Sequence, residues 1–150
     1  MAAPKGHPLW GNPLNHKKLT PTELWDGAID YFKWCDENPW HKEDFIKSGE
    51  MAGSIVKLKT QRPYTIEGLC IHLNISYQTF FNYSKEAGYE TYFDICTHIR
   101  KVIDNQHFEG GMVGAFNANI VTRKLGLTEK TELTGKDGVP LIPVTGIEIK

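Results

Sequence analysis

Cysteine is sparse in this chain: Cys35, Cys70 and Cys96 are the only three in 150 residues, widely spaced and each set in an apolar helical pattern. An odd, scattered set excludes a disulfide framework and points to reduced, buried thiols in a cytosol-like compartment. Neither Cys-x-x-Cys nor His-x-x-x-His spacing occurs, which removes the usual zinc arrangements, and no cofactor is expected. The first residues lack the apolar core of a secretory signal and no run is long enough to cross a bilayer. The expectation is a protein that works where it is made, without a membrane. Convergent acids are missing as well. Asp36 and Glu37 read as surface charges at a helix end, and His72, His98 and His107 stand alone, so a hydrolase or nuclease is disfavoured. No internal repeat is evident.

An excess of positive charge is also lacking: the net charge is −1, low for a nucleic-acid binder, so its distribution matters more than its sum. Residues 1–20 carry Lys5, Lys17 and Lys18 with no acid, and residues 51–65 carry Lys57, Lys59 and Arg62, again with none. Between them, residues 21–50 hold eight acids against three lysines. The chain alternates basic and acidic blocks.

What is present centres on Tyr64 to Gly88, which reads as two short helices joined by a tight turn. Thr65 caps the first, and Ile66, Leu69, Cys70 and Leu73 recur at helical spacing. Asn74 suits the left-handed conformation that ends a helix, Ile75 plugs the turn, and Ser76 caps the second helix. That second helix is expected to bury parts of Tyr77, Phe80, Phe81 and Ser84 and to present Gln78, Asn82 and Lys85. The layout is that of a helix-turn-helix DNA reader; an ordinary helical hairpin inside an all-α domain fits the same pattern.

Around it the expected fold is mainly α. Residues 1–19, rich in Pro, Gly, Asn and His with Trp10 as one large anchor, form an extended, flexible arm. Residues 20–127 form the core. Thr20-Pro21-Thr22-Glu23 opens a helix as a capping box with proline in the first turn, and Asn38-Pro39 ends it. Its stripe is Leu24, Ala28, Phe32 and Cys35, widened by Trp25, Ile29 and Tyr31. A β-hairpin insertion is expected over about 43–60, where Val56 and Leu58 alternate with Lys57 and Lys59 to give one apolar and one basic face. Such a hairpin is marginal alone and must pack on helices or on a neighbour. After the helix-turn-helix unit at 65–87, a long helical hairpin spans 89–126. Its first arm carries Tyr92, Ile95, Cys96, Ile99, Val102 and Ile103 and is interrupted by Gly110-Gly111. Its second carries Met112, Ala115, Phe116, Asn119, Ile120 and Arg123 on one side and stops at Gly126. Residues 128–150 read as a β segment that would close its edges in an intersubunit barrel.

The opening Met-Ala-Ala-Pro-Lys-Gly-His-Pro-Leu-Trp, the helix from Leu24-Trp25 through Trp34, and Asn38-Pro39 with His41-Lys42 resemble small terminase subunits of tailed double-stranded DNA phages. So do Tyr64-Thr65-Ile66-x-Gly68-Leu69, the run from Phe116-Asn117-Ala118-Asn119-Ile120 to Leu125-Gly126-Leu127, and the Glu-Leu-Thr-Gly-Lys-Asp-Gly stretch at 132–138. The likeness is in particular to the DNA-packaging proteins of short-tailed phages that fill heads by headful cutting. It implies a ring-shaped, nonamer-like homo-oligomer in the host cytoplasm, outside the mature virion. The ring would recognise a packaging site in concatemeric viral DNA and regulate a large terminase ATPase–nuclease, without catalysis of its own. The absence of a Gly-x-x-x-x-Gly-Lys-Ser/Thr phosphate loop agrees. Relatives of this type carry a markedly basic C-terminal extension, whereas the residues here run to Ile147-Glu148-Ile149-Lys150, which moves the expected DNA contact elsewhere.

Lys57, Lys59 and Arg62 are the expected phosphate contacts, with Lys17 and Lys18 following a groove as part of the arm. Gln78 and Asn82 suit adenine edges and Lys85 a phosphate or guanine. Each of these also reads as plain surface. Tyr92, Ile95, Ile99, Val102 and Phe116 are core or subunit contacts, and Arg123 is an intersubunit or DNA contact. A dimeric helix-turn-helix transcriptional regulator is the alternative.

Overall fold

Thr20 and Glu23 cap one another at the start of α1 (Pro21–Glu37), where the Thr20 N–H donates to Glu23 Oε2 at 2.8 Å and the Glu23 N–H to Thr20 Oγ1 at 3.2 Å. The structure, a computed structural model, describes residue 16 and residues 18–127. The expected arm up to residue 15, Lys17 and the C-terminal β segment with its barrel lie outside the described residues. α1 ends at Asn38 before Pro39, as the proline rule requires, and turns Leu24, Ala28, Tyr31 and Cys35 inward. Tyr31 takes the central place the stripe assigned to Phe32, which is only part-buried.

The chain then becomes extended at once, in β1 (Trp40–Phe45) and β2 (Ile55–Thr60), an antiparallel pair that starts three residues before the expected boundary. The register corrects the two-faced reading. Lys57 stands opposite Glu43 and Lys59 opposite His41, while Val56 and Leu58 stand opposite Asp44 and Lys42. Partners across a ladder share a face, so neither side is purely apolar or purely basic. No helix packs along the hairpin among the described residues, and Phe45, Ile55 and Leu58 remain 64%, 61% and 46% exposed.

α2 (Ile66–Leu73) and α3 (Tyr77–Lys85) form the expected pair. Thr65 Oγ1 accepts from the Gly68 N–H at 2.9 Å, Asn74 is left-handed at φ 56°, and Ser76 Oγ accepts from the Thr79 N–H at 3.0 Å. Ile75 is buried in the turn. Within α3 the inward residues are Phe80 and Tyr83, whereas Tyr77 is half exposed.

α4 (Glu90–Met112) is the mast on which α1, α3 and the returning chain pack, burying Tyr92, Cys96, Ile99, Ile103 and His107. Gly110-Gly111 does not interrupt it. A β-carbon at Gly110 would strike the Phe116 ring, and one at Gly111 would lie 3.2 Å from Val121. These glycines are what let α5 (Ala118–Leu125) fold back onto the mast. The break falls instead at Val113-Gly114. α5 starts later than expected, capped by Asn117, and seats Val121 rather than Ile120.

A buried hydroxyl ties the layers together. Tyr31 Oη accepts the Thr65 N–H at 3.1 Å, at the first turn of α2. Burial pushes this phenol up to about 12, so it stays protonated. The three cysteines are free and buried, and desolvation pushes Cys70 up to about 12 and Cys96 up to about 11.

Two stability predictions follow from this packing. Gly68→Ala would gain about 1 kcal/mol of helix propensity. Its methyl would run into the Tyr31 hydroxyl and lie 2.8 Å from Thr65 Oγ1. Overpacking of about 1–3 kcal/mol wins, so urea denaturation should show a lower midpoint. The second concerns His72, whose buried Nδ1 has no hydrogen-bond partner and whose ring lies beside Tyr31 and Trp34. Burial holds it below its ordinary 6.5, only partly offset by Asp30. Above 6.5 neither folded nor unfolded chain holds the proton; below it the unfolded chain takes up a proton that the folded one refuses, so stability falls with pH. Melting from neutral to mildly acid pH should show this loss, and His72→Phe should reduce it.

Candidate nucleic-acid interface

α3 is anchored from behind by Phe80 and Tyr83, which leaves its other side open. Gln78 and Lys85 are exposed and Asn82 is part-buried. The Gln78 Nε2 amide donates to Asn82 Oδ1 at 2.7 Å, one turn along the helix. That bond leaves Gln78 Oε1 as an acceptor beside the Asn82 Nδ2 donor, a pairing suited to the N6/N7 edge of adenine. Lys85 Nζ rests 5.0 Å from the Phe81 ring centroid, at the far end of the same helix.

The segment entering α1 is held against α3. The Leu19 N–H donates to Tyr83 Oη at 3.0 Å, and the Tyr92 hydroxyl donates to the Leu19 carbonyl at 2.9 Å. The two tyrosine rings stack at 4.5 Å. Both backbone groups of Leu19 are thereby satisfied inside the protein, which fixes the place of its neighbour Lys18. The Lys18 Nζ lies 5.4 Å from the Tyr89 ring centroid.

Arg62 belongs elsewhere. Its guanidinium sits 4.9 Å from the Trp34 ring centroid and 4.3 Å from that of Trp40, and its Nε donates to the Asn38 carbonyl at 2.6 Å. Residues around it are stapled on both sides. The Tyr64 hydroxyl and the Gln61 amide each reach Asp36 Oδ1 at 2.8 Å, and Gln106 accepts from the Tyr64 N–H at 2.8 Å while donating to the Arg62 carbonyl at 3.1 Å. Arg62 is the clamp that sets the base of the hairpin on α1, a structural duty that explains its place without DNA. Lys57 and Lys59 are exposed on the hairpin beyond it.

The candidate residues therefore form two groups. Lys18, Gln78, Asn82 and Lys85 belong to α3 and to the segment entering α1, which Leu19 bonds to Tyr92. Lys57, Lys59 and Arg62 belong to the hairpin, near Gln106. At 1.5 Å per residue the two anchors, Tyr92 and Gln106, lie roughly 20 Å apart along α4, and α3 covers part of that length, with the Arg100 guanidinium 5.3 Å from the Phe80 ring centroid. Of the residues considered as core or subunit contacts, Tyr92 and Ile99 are buried in the subunit's own core. Ile95, Val102 and Phe116 are part-buried, and Arg123 is exposed. Sequence reasoning missed Tyr83, whose hydroxyl binds a residue 64 positions away, and the Trp34–Arg62–Trp40 sandwich; no local pattern signals either.

Residues 15–133 match the family described as DNA-packaging protein gp3. The chain is also 32% identical, over 138 residues, to the terminase small subunit of Salmonella phage P22, covering 89% of this chain and 82% of that protein.

Removing the clamp should loosen the hairpin without unfolding the helices. Arg62→Ala is expected to cost about 1–3 kcal/mol through two lost cation–aromatic contacts and a charge-assisted hydrogen bond. Hydrogen exchange should show faster exchange in β1 and β2 and unchanged protection in α4, whereas Lys57→Ala with Lys59→Ala should leave both as they are.

Proposed function

The chain belongs to the family of phage DNA-packaging proteins, as a small terminase subunit, and from that premise we propose that it acts as a ring of identical copies. The ring holds a packaging site in concatemeric viral DNA in the host cytoplasm and brings the large ATPase–nuclease subunit to it. Its own part is binding and regulation rather than catalysis.

The observation that carries the DNA-binding role is the α2–α3 pair with α3 anchored on one side and open on the other. In this reading α3 enters the major groove, Gln78 and Asn82 face base edges, and Lys85 and Lys18 take flanking phosphates. Lys57 and Lys59 form a second, outlying contact for a curved or wrapped duplex. Arg62 supports them by holding the hairpin in place.

Two features support the ring. A chain of net charge −1 makes few phosphate contacts per copy, and such a module binds non-specifically at roughly 10⁻⁴–10⁻⁶ M. Repetition around a ring raises avidity by about 10²–10⁴ when several copies reach the duplex together. The hairpin supplies the second. A two-stranded ribbon is marginal alone, yet this one keeps Trp40, Phe45, Met51 and Ile55 exposed. Apolar surface of this kind is suited to a neighbouring copy. Ile95, Val102, Phe116 and Arg123 remain further subunit-contact candidates.

Light scattering coupled to size exclusion tests the assembly. A closed ring of many subunits is expected; a persistent monomer or dimer at micromolar concentration, with or without DNA, would sink the proposal and favour a dimeric regulator. Phe45→Ser with Ile55→Ser should shift the distribution towards smaller species while circular dichroism stays unchanged. Stimulation of the large subunit's ATPase by the ring is the expected functional readout.

A further inference from the structure

The backbone leading into α1 and the outer side of α3 enclose a notch of about 230 Å³, lined by His16, Lys18, Thr79, Asn82, Tyr83 and Tyr89. Among the described residues no carboxylate lines it, in a chain whose acids outnumber its lysines and arginines by 18 to 17. The polar groups that remain can each donate a hydrogen bond. Lys18 brings an ammonium, held near the Tyr89 ring at 5.4 Å. Asn82 Oδ1 is already engaged by Gln78 at 2.7 Å, which leaves the Asn82 Nδ2 protons as its donors. Tyr83 Oη is likewise occupied as an acceptor, by the Leu19 N–H at 3.0 Å. The Thr79 hydroxyl, 2.8 Å from Ser76 Oγ, and the His16 imidazole complete the lining.

An ammonium beside an amide N–H₂ and a hydroxyl, with no competing anion, suits a tetrahedral oxyanion. We propose that this notch seats one backbone phosphate of DNA and thereby sets the register of α3 in the groove. The inference rests on the DNA-binding reading of α3, which it deepens. In this seat one Asn82 Nδ2 proton meets the phosphate and the other the base edge beside Gln78, so holding the phosphate fixes which bases those amides meet. Because both backbone groups of Leu19 are bonded to buried tyrosines, Lys18 is presented at a set place, which reduces the ordering cost of binding.

The test measures binding of a labelled 30-base-pair duplex over a salt series, by fluorescence anisotropy with the full chain. A phosphate contact contributes a slope of about 0.9 in log K against log salt. For each engaged subunit, Lys18→Ala should therefore lower the slope by about that amount and weaken binding about eightfold at 0.1 M salt. Lys18→Arg should restore both. In duplexes carrying single neutral methylphosphonates, the wild type should lose affinity at one position to which Lys18→Ala is insensitive. An unchanged slope for Lys18→Ala, or failure of Lys18→Arg to restore it, overturns the notch. If Gln78→Ala still weakens binding in that case, the reading of α3 survives; if neither variant has an effect, that reading falls too. Inorganic phosphate at constant ionic strength separates the sources. Shifts of the Asn82 side-chain amide signals with duplex, but not with equal phosphate, support a DNA seat; equal saturable shifts with phosphate alone overturn it.

Discussion

The fold depends on hydroxyl groups placed where helices begin. Tyr31 reaches from α1 into the first turn of α2, and Tyr83 and Tyr92 together grip the backbone of Leu19 just ahead of α1. Helix starts expose N–H groups that their own helix cannot satisfy. Here a ring from another element fills that need while its aromatic body adds to the core. The same contacts thus do two jobs: they remove an unsatisfied donor and fix the angle between layers. Gly68 has no side chain because Tyr31 occupies the space where one would go.

That economy explains what was legible in the sequence. Caps were, because each is written within a few residues: Thr20 with Glu23, Thr65 with Gly68, Asn74 in the left-handed turn, Ser76 with Thr79. The helix-turn-helix unit and the end of α1 at Pro39 follow from the same local chemistry. Tertiary context decided the rest. Gly110-Gly111 looked like a break, but in the fold each makes room for a residue of the returning chain, Phe116 and Val121. The alternation around Lys57 and Lys59 was real, yet its meaning depended on which residues lay opposite, and those are Asp44, Glu43, Lys42 and His41, none of them apolar. Arg62 read as part of a basic block because charge is visible in sequence and a sandwich between two tryptophans is not.

The candidate site was accordingly legible in part. Residues on α3 were named because helical periodicity separates inward from outward positions. That Lys18 belongs with them depends on a contact between positions 19 and 83, beyond any local pattern. In the proposed reading, the separation of the two basic groups decides how a duplex would be held. Each subunit would offer the open side of α3 as one contact and two lysines on a projecting ribbon as another. A straight duplex lying across α3 would meet the first; a duplex that bends, or an adjacent copy, would bring in the second.

The three thiols, one each on α1, α2 and α4, have a practical consequence. Each is sheltered and held in the unreactive protonated form, so an alkylating reagent gains access only when its helix comes away from the others. Mass spectrometry of the modified peptides would then time the opening of each helix separately, without any added probe. Comparing those clocks with one another would rank the helices by how readily each comes away.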